Sequence, residues 1–466
     1  MLIALSVLFV IGYLAIALEH PLKVDKTASA LLLGMLMWVV YAMGSESIVP
    51  DAAPDKLAYF LETHPSLAGK SRHEQVLQYV LKVDILEHLG DIAQTLLFLI
   101  GAMTIVELID VHEGFRVITD RITTRRKREL LWIVGITTFF MSAVLDNLTT
   151  TIVMLMLLRK LIALKEERWL YAGAIVIAAN SGGAWSPIGD ITTIMLWVNG
   201  NVTAQTLICY VLLPSIVSMA VPLFFIGRKL TGVLAPGEKA ESSLRDITKG
   251  ERNTIFFLGV GGLLFVPVFK SITHLPPFVG ILFVLGVLWT FTEIFYNAKK
   301  LDKAREHRIP KVIARVDMPS ILFFLGILMA VAVLESTGLL GAMAQILDNG
   351  VHNIYIIDAL LGILSSIIDN VPMVAGVMGM YPIADVAATG YEANFVVDGA
   401  FWELLSYCAG VGGSMLIIGS AAGVIAMGLE KISFGWYLRK FSWLALIGYL
   451  AGIAVYMGEK YLISVL

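Results

Sequence analysis

Apolar stretches about 20 residues long recur along almost the whole chain, and this pattern limits the possible folds more than any other feature. An α-helix needs a stretch of that length to cross the hydrocarbon core of a bilayer. Of the 466 residues, 58% are hydrophobic and 15% are charged, whereas a soluble domain is about 25% charged. The chain is therefore predicted to be an all-α polytopic membrane protein whose surroundings are the lipid bilayer.

Most of the apolar stretches are predicted to be membrane-spanning helices. These cover residues 1–19, 28–44, 91–110, 169–199, 204–227, 254–269, 274–296, 318–335, 398–430 and 441–458. No basic residue precedes the first of them, so we interpret it as a retained helix and not as a cleaved signal peptide. The loop 45–90 is predicted to lie outside and to contain an amphipathic helix near 72–88.

Charge and cysteine content argue against several other kinds of protein. The net charge of −3 gives no reason to expect a nucleic-acid partner. Cys209 and Cys408 lie apart in apolar sequence, where two cysteines form neither a disulfide framework nor a metal cluster. We interpret both as packing residues, and no cofactor is predicted.

Two short motifs place carboxylates within apolar sequence. Residues 142–151 read Ser-Ala-Val-Leu-Asp-Asn-Leu-Thr-Thr-Thr, and residues 365–374 read Ser-Ser-Ile-Ile-Asp-Asn-Val-Pro-Met-Val. A charge at the bilayer centre costs about 2.5–3.5 kcal/mol, so such groups are found mostly where they serve a function. The repetition of Asp146–Asn147 as Asp369–Asn370 predicts a duplicated transporter whose halves meet at an ion site.

Basic residues predict that each motif lies at the tip of a re-entrant hairpin. The segments 130–163 and 352–386 are both too long for one comfortable span. Basic clusters flank both ends of the first segment, which places both ends in the cytoplasm: Arg121, Arg125, Arg126, Lys127 and Arg128 before it, and Arg159, Lys160, Lys165 and Arg168 after it. We interpret these clusters as topology signals only. No Lys or Arg occurs between residue 316 and Glu430, so both ends of the second segment are predicted to lie outside.

A second pair of motifs predicts broken helices. In residues 180–190 and 410–420, glycines occur in register, at 182, 183 and 189 in one and at 412, 413 and 419 in the other. Glycines together with Pro187 inside a span predict that the helices 169–199 and 398–430 are interrupted.

The chain is thus predicted to consist of two inverted-topology repeats, residues 1–228 and 254–466, with a cytoplasmic linker at 229–253. Lys23 and Lys26 place the first loop in the cytoplasm and the N-terminus outside.

These motifs offer oxygen ligands, which a hard cation such as Na⁺ prefers. The predicted Na⁺ ligands are the carboxylates of Asp146 and Asp369. Carbonyls freed at the breaks near Gly182, Gly183, Gly412 and Gly413 complete the predicted shell, and Glu107 is a candidate proton relay. The other candidate cation or proton ligands are Asn147, Thr150, Thr151, Asn370, Asn180, Asp190, Ser142, Ser365 and Thr193. The hydroxyls among them also fit a purely structural role as hydrogen-bond partners between helices.

Buried carboxylates can also carry protons, because removal from water penalises the charged form. Competition between Na⁺ and H⁺ for one site is sufficient for antiport. A sodium-coupled symporter of a small carboxylate or other anion is the nearest alternative. A cation channel would need a continuous pore, and an intramembrane enzyme would need catalytic groups that neither motif supplies.

At these motifs the chain resembles the NhaD family of Na⁺/H⁺ antiporters, within the broader ion-transporter superfamily. The resemblance is carried by Leu-Asp-Asn-Leu-Thr-Thr-Thr at 145–151, Asn-Ser-Gly-Gly-Ala-Trp-Ser-Pro-Ile-Gly-Asp-Ile-Thr-Thr at 180–193 and Ile-Asp-Asn-Val-Pro-Met at 368–373. It implies a homodimer, a transport part that holds both hairpins, and elevator-type alternating access. It also implies exchange of cytoplasmic Na⁺, and of Li⁺, for external H⁺ across a cell membrane, the inner membrane in a bacterium.

Sodium-coupled dicarboxylate carriers of the same superfamily have similar hairpins that carry Ser-Asn-Thr. Here an aspartate precedes the asparagine in both hairpins, and no Lys or Arg lies in either hairpin interior. A fixed negative charge at each tip favours a cation over an anionic substrate.

Overall fold

The computed structural model describes residues 1–234, 248–299 and 308–465. Over these residues the chain forms helices, turns and one isolated backbone pairing between Arg126 and Val233, with no strand of a sheet. The all-α class is therefore confirmed. Most of the predicted linker 229–253 lies outside the described residues, as does part of the basic loop around residues 300–307.

Among the described residues, eight helices are long and apolar enough to cross a membrane, which supports a polytopic membrane protein. They are Lys26–Ala52, Arg72–Val111, Lys127–Leu145, Ala204–Lys229, Lys249–Thr273, Pro277–Tyr296, Met318–Ser336 and Phe434–Ile463. Shorter helices connect or interrupt them: Leu2–Ala17, Glu19–Leu22, Pro54–Thr63, Asn147–Leu161, Lys165–Gly183, Ile191–Val198, Leu339–Val351, Ile354–Ser365, Asn370–Met380, Ala400–Gly412 and Ala421–Glu430.

The outer faces of the long helices are apolar, as a lipid environment requires. In Lys249–Thr273 and Pro277–Lys299, large side chains such as Phe257, Phe283 and Ile294 are exposed. A soluble protein rarely leaves so much contiguous apolar surface in water.

The predicted loop 45–90 contains more helix than expected, because the helix that begins at Lys26 continues to Ala52 and residues Pro54–Thr63 are also helical. The helix near 72–88 is not separate from the span predicted at 91–110, because Arg72–Val111 is one continuous helical segment. A single π-helical turn at Val80–Asp84 accommodates the irregularity without ending the helix. The Tyr41 hydroxyl donates a hydrogen bond to the buried Asp84 carboxylate at this turn (2.6 Å).

The chain forms two compact units. The first comprises residues 1–97, 317–353 and 371–382, and the second comprises residues 98–316, 354–370 and 383–466. Each unit draws on both halves of the sequence. The predicted repeats are therefore not the same division as the compact units, and their boundaries stay a prediction.

In the first unit, one long helix from each half of the chain packs against the other in parallel. The Thr27 hydroxyl donates to the Pro319 carbonyl (3.2 Å), and about three turns further along both helices the Trp38 indole donates to the Met329 carbonyl (3.0 Å). The N-terminal ends of the two helices therefore lie on the same side of the first unit.

Candidate functional site

The first hairpin consists of helices Lys127–Leu145 and Asn147–Leu161, which are separated by Asp146 alone. Asp146 has a φ of 75°, a backbone conformation that few residues other than glycine adopt. Its carboxylate caps the second helix by accepting hydrogen bonds from the Thr149 backbone N–H (2.7 Å) and the Thr149 hydroxyl (3.1 Å). The predicted tip is therefore also a helix N-cap.

The two ends of this hairpin lie together. The ammonium of Lys127, where the first helix begins, pairs with Glu167 at the start of the next helix (2.6 Å). The Tyr171 hydroxyl donates to the Lys127 carbonyl (2.8 Å). Because Glu167 follows the hairpin by only a few residues, the chain returns to the side from which it came.

The second hairpin has a longer tip. Its helices are Ile354–Ser365 and Asn370–Met380, and residues 366–369 between them are not helical. Asp369 is the last residue of this tip and is half-buried, as is Asp146 in the first hairpin. The Asp-Asn pair thus stands at a helix start in both hairpins.

The first broken helix ends at Gly183 and resumes at Ile191. Asp190 caps the resumed helix: its Oδ1 accepts from the Thr192 N–H (3.0 Å), and its own N–H donates to the Thr193 hydroxyl (3.2 Å). This reciprocal pair is a capping box. It holds the Asp190 side chain in place at the break.

The second broken helix ends at Gly412 and resumes at Ala421. Ser420 caps the resumed helix by accepting a hydrogen bond from the Gly423 N–H (3.2 Å). The breaks lie where the glycines of both motifs predict them. The cap is a carboxylate in the first helix and a hydroxyl in the second.

Glycines let each broken helix approach its hairpin backbone. A Cβ atom added at Gly182 would collide with the Phe139 carbonyl oxygen, and one at Gly412 would collide with the Gly362 carbonyl oxygen. A Cβ atom added at Gly183 would likewise collide with the backbone across the same break, since it would lie 2.6 Å from the Gly189 carbonyl oxygen. At Gly413 the corresponding distance, to the oxygen of Gly419, is 2.7 Å. Only glycine, which has no side chain, fits at these four positions.

One serine in each hairpin attaches that hairpin to the neighbouring broken helix. The Ser142 hydroxyl donates to the Ala179 carbonyl (2.6 Å), and the Ser365 hydroxyl donates to the Ala409 carbonyl (2.9 Å). Both serines are fully buried. These hydrogen bonds fit a structural role for both serines, in which they hold the hairpin against the broken helix. The sequence analysis left this role open as an alternative to ion binding.

Asp190 is the centre of the polar cluster. The Asn147 amide donates to Asp190 Oδ2 (2.7 Å) and to Asn180 Oδ1 (3.1 Å). The Asn370 amide faces the same carboxylate, at 3.4 Å from Oδ1 and 3.5 Å from Oδ2. The asparagines of the two hairpin tips therefore converge on one carboxylate from a broken helix.

Asn180 extends the cluster to the second broken helix. Its amide nitrogen donates to the hydroxyls of Ser414 (3.0 Å) and Ser420 (2.8 Å). Ser414 was not a predicted site residue, although it directly follows the Gly412–Gly413 pair. Asn180 is completely buried, and so these three side chains form a closed network between the two breaks.

Negative charge accumulates at this cluster. Asp190 is 1% exposed, and its carboxylate is close enough to those of Asp146 and Asp369 to interact electrostatically with each. Like charges at short range in a low-dielectric site repel strongly. Binding of a cation or of protons relieves this repulsion, so the site is suited to positively charged substrates.

The remaining predicted residues divide into two groups. The Thr150 hydroxyl is buried and has no hydrogen-bond partner among the described residues, so it is free to coordinate. The Thr151 and Thr193 hydroxyls donate to the backbone carbonyls of Asn147 (2.7 Å) and Asp190 (2.8 Å). Both threonines thereby support residues that are predicted ligands.

Glu107 lies at a different place in the second unit. It is half-buried near the C-terminal end of the helix Arg72–Val111, where its electrostatic neighbours are Asp110 and Arg315. The structure does not bring it into the Asp190 cluster. Its role as a proton relay stays a prediction.

The basic residues that follow the first hairpin do more than indicate topology, which corrects the sequence interpretation. Arg159 and Arg168 both bind Glu430, with Nε–Oε distances of 2.7 and 2.9 Å. The Glu430 side chain is 1% exposed, and a buried carboxylate needs such partners. These pairs attach the end of the second broken helix to the end of the first hairpin.

The chain is similar to known membrane transporters over most of its length. A sequence model of the citrate transporter family (CitMHS) matches residues 7–400. Sodium/proton antiporter 1 of Arabidopsis thaliana is 42% identical over 461 residues, which cover 98% of this chain and 72% of the plant protein. The Na⁺/H⁺ antiporters NhaD of Alkalimonas amylolytica and of Vibrio cholerae are each 29% identical over 97% of this chain. The matched regions cover 89% and 91% of these two proteins. The resemblance that the motifs indicate thus extends over nearly the whole chain.

Proposed function

This chain belongs to the citrate transporter family and, within it, to the sodium/proton antiporters, and we propose on this basis that it exchanges cytoplasmic Na⁺, and Li⁺, for external H⁺. The observation that carries the proposal is the convergence of Asn147 and Asn370 on the buried Asp190 carboxylate, with Asp146 and Asp369 close by. No cofactor is needed, because the cluster offers the charge and the oxygen atoms that both transported ions require.

In this mechanism Na⁺ and H⁺ compete for the same carboxylates. With protons bound, the negative charges are neutralised and the asparagine amides donate to Asp190, as in the structure. When Na⁺ enters, the carboxylate oxygens of Asp146 and Asp369 coordinate it, together with the Thr150 hydroxyl. Asn147 donates through its amide nitrogen, which leaves its Oδ1 atom to accept a bond or to coordinate the ion.

Asp190 strengthens the case for antiport over symport of an anion. A carboxylate substrate would have to enter a cluster with three carboxylates, and neither hairpin interior contains Lys or Arg to offset its charge. A citrate anion, the substrate after which the family is named, would therefore find no favourable electrostatic partner in this cluster. Sodium-coupled symport of a small carboxylate is the alternative that the experiment below excludes or supports.

We further propose that the chain is built of two inverted repeats and works by an elevator movement. Matched contacts support the repeats: Ser142 and Ser365 each bind a broken helix, and Gly182 and Gly412 each abut a hairpin carbonyl. All the cluster residues belong to the second compact unit, as a moving transport part would require. The proposed assembly is a homodimer, as in the family that the motifs resemble.

The proposed orientation places the N-terminus outside a cell membrane, the inner membrane in a bacterium. Within the second unit, the ion pairs of Arg159 and Arg168 with Glu430 support this orientation. They place the C-terminal end of the second broken helix beside the basic residues that mark the cytoplasmic side. Cysteine substitutions at 386–396 test the orientation. Labelling from the outside is expected, and labelling only from the cytoplasm would contradict the inverted second hairpin.

Transport is tested by reconstituting the full chain in lipid vesicles with a pH-sensitive dye inside and an imposed pH gradient. Addition of Na⁺ or Li⁺ is expected to change the lumenal pH in the wild type, and Asp146→Asn and Asp369→Asn are expected to abolish the change. Asp385→Asn is a matched control, because Asp385 is exposed and lies outside the cluster. Absence of a sodium response, together with sodium-dependent uptake of radiolabelled citrate, would replace antiport by symport.

A further inference from the structure

A carboxylate outside the cluster has no partner at all among the described residues. Asp358 lies within the helix Ile354–Ser365, its side chain is 0% exposed, and neither carboxylate oxygen has a hydrogen-bond partner in the described part of the chain. Asp358 was not predicted as a site residue, although it stands in the apolar run Ile354-Tyr-Ile-Ile-Asp-Ala-Leu-Leu.

In the described part of the chain, the side chains around Asp358 offer no positive charge. Cys408, Tyr449 and Tyr456, on the two neighbouring helices, are close enough to interact with it electrostatically. The Tyr449 hydroxyl donates to the Ala359 carbonyl (2.9 Å) and not to the carboxylate. A thiol and two phenols cannot neutralise a carboxylate, so Asp358 is not held by an ion pair to them.

Two further ionisable groups complete the surroundings on those helices. The Tyr407 hydroxyl, which is buried, donates to the backbone carbonyl of Tyr449 (2.9 Å). The Glu403 carboxylate accepts a hydrogen bond from Tyr456 (2.6 Å) and pairs with the Lys460 ammonium (2.6 Å). The hydroxyls near Asp358 are thus committed to other acceptors.

Burial of an unpaired charge is far more costly than burial of the neutral acid. Since no described group offers a counter-charge, proton uptake is the way in which the fold accommodates Asp358. We propose that Asp358 is a second proton-binding site, separate from the Asp190 cluster, which takes up and releases one proton in each exchange cycle. This inference rests on the proposed Na⁺/H⁺ exchange.

Polar groups near Asp358 extend from the interior to the surface. Lys460 is partly exposed, whereas Glu403 is 1% exposed, so this ion pair connects the surface with the interior. Tyr456 binds Glu403 and interacts with Asp358, and its hydroxyl can donate one proton while it accepts another. In the proposal this chain of groups is the approach to Asp358: the Tyr456 hydroxyl is bonded to Glu403, and the Asp358 carboxylate accepts no hydrogen bond from the described residues.

The first hairpin lacks this group. Gly135 precedes Asp146 by as many residues as Asp358 precedes Asp369. The matching position in the first hairpin therefore carries no ionisable side chain. Of these two matched positions, only the one in the second hairpin can bind a proton.

The test compares the wild type with Asp358→Asn and Asp358→Glu, and with Asp385→Asn as an exposed control. In vesicles, the membrane potential at which Na⁺ flux stops under fixed Na⁺ and pH gradients gives the number of protons exchanged per Na⁺. We expect Asp358→Asn to lower this number by one, because the amide cannot release a proton. Asp358→Glu and Asp385→Asn are expected to keep the wild-type number. An unchanged number in Asp358→Asn would overturn the proposal.

An infrared measurement keeps the test independent of transport. The wild-type protein is expected to show a carboxylic-acid C=O band that is absent in Asp358→Asn and that disappears as the pH is raised. A band that is insensitive to pH, or no difference between the two proteins, would overturn the proposal even if the variant transports poorly. Failure of the proposed exchange is recognised separately, as a wild-type protein without any Na⁺-dependent proton movement.

Discussion

The two hairpins carry the same Asp-Asn pair on backbones that are built differently. In the first hairpin a single residue, Asp146, separates two helices and has a positive φ. In the second hairpin the four residues 366–369 make the turn, and Asp369 has no positive φ. A shared motif therefore does not imply a shared local geometry.

The two broken helices also differ from each other, in the residue that each contributes to the centre of the cluster. Asp190 receives the amides of both asparagines, whereas Ser420, at the corresponding position of the other broken helix, receives a hydrogen bond from Asn180. One carboxylate thus serves both halves. We infer that the halves contribute unequally to ion binding, and each of the following substitutions compares a residue in one half with its counterpart in the other.

The largest difference is expected between Asp190→Asn and Ser420→Ala. Hydrogen bonds to a charged group contribute about 1.5–3 kcal/mol, so loss of the Asp190 charge is expected to slow Na⁺-dependent proton movement on the order of 100-fold. Ser420→Ala removes one neutral hydrogen bond and is expected to slow it by less than about 10-fold. Vesicle assays with pH-sensitive dye measure both rates. Equal losses would show that the halves contribute equally.

Gly182→Ala and Gly412→Ala are expected to destabilise the protein to a similar extent. Each added Cβ would collide with a hairpin carbonyl oxygen, and overpacking of this kind costs about 1–3 kcal/mol. Thermal unfolding in detergent, followed by tryptophan fluorescence, measures the effect. Gly428→Ala is the control, since a Cβ there meets no atom within 4 Å. A stable Gly412→Ala variant beside an unstable Gly182→Ala variant would show that only the first half is tightly packed.

Asp146→Ala is expected to lower stability more than Asp369→Ala. It removes an N-cap, which costs about 0.5–2 kcal/mol, and places alanine at a positive φ, which costs roughly another 1–2 kcal/mol. Asp369→Ala carries no such backbone cost. Asp146→Asn keeps both the cap and the tolerance of positive φ, so it is expected to melt like the wild type while losing transport. Equal melting temperatures of the two alanine variants would contradict this difference between the tips.

The smallest effects are expected for Ser142→Ala and Ser365→Ala. Each removes one buried hydrogen bond to a backbone carbonyl, worth about 0.5–1.5 kcal/mol. Both variants are expected to transport Na⁺ at near wild-type rates with slightly lower melting temperatures. Loss of transport without loss of stability in either variant would show that the serine binds the ion directly.

Local sequence was a good guide to where the backbone is interrupted. Asp146 and the glycines at 182 and 412 lie where the helices end, because helix breaks depend on residues close in the chain. The continuous helix from Arg72 to Val111 was missed, because a π-turn has no clear sequence signal. The Glu430 pairs were also missed, since their partners are more than two hundred residues away.

By itself the sequence determined the membrane environment, the all-helical class, the two Asp-Asn tips and the two helix breaks, because apolar length, charge and glycine spacing act locally. Only the tertiary structure decided that Asp190 is the common partner of Asn147 and Asn370, and that Asp358 is buried without a hydrogen-bond partner among the described residues. The physical reason is that hydrogen bonding and burial depend on which helices meet, and residues distant in the sequence decide this.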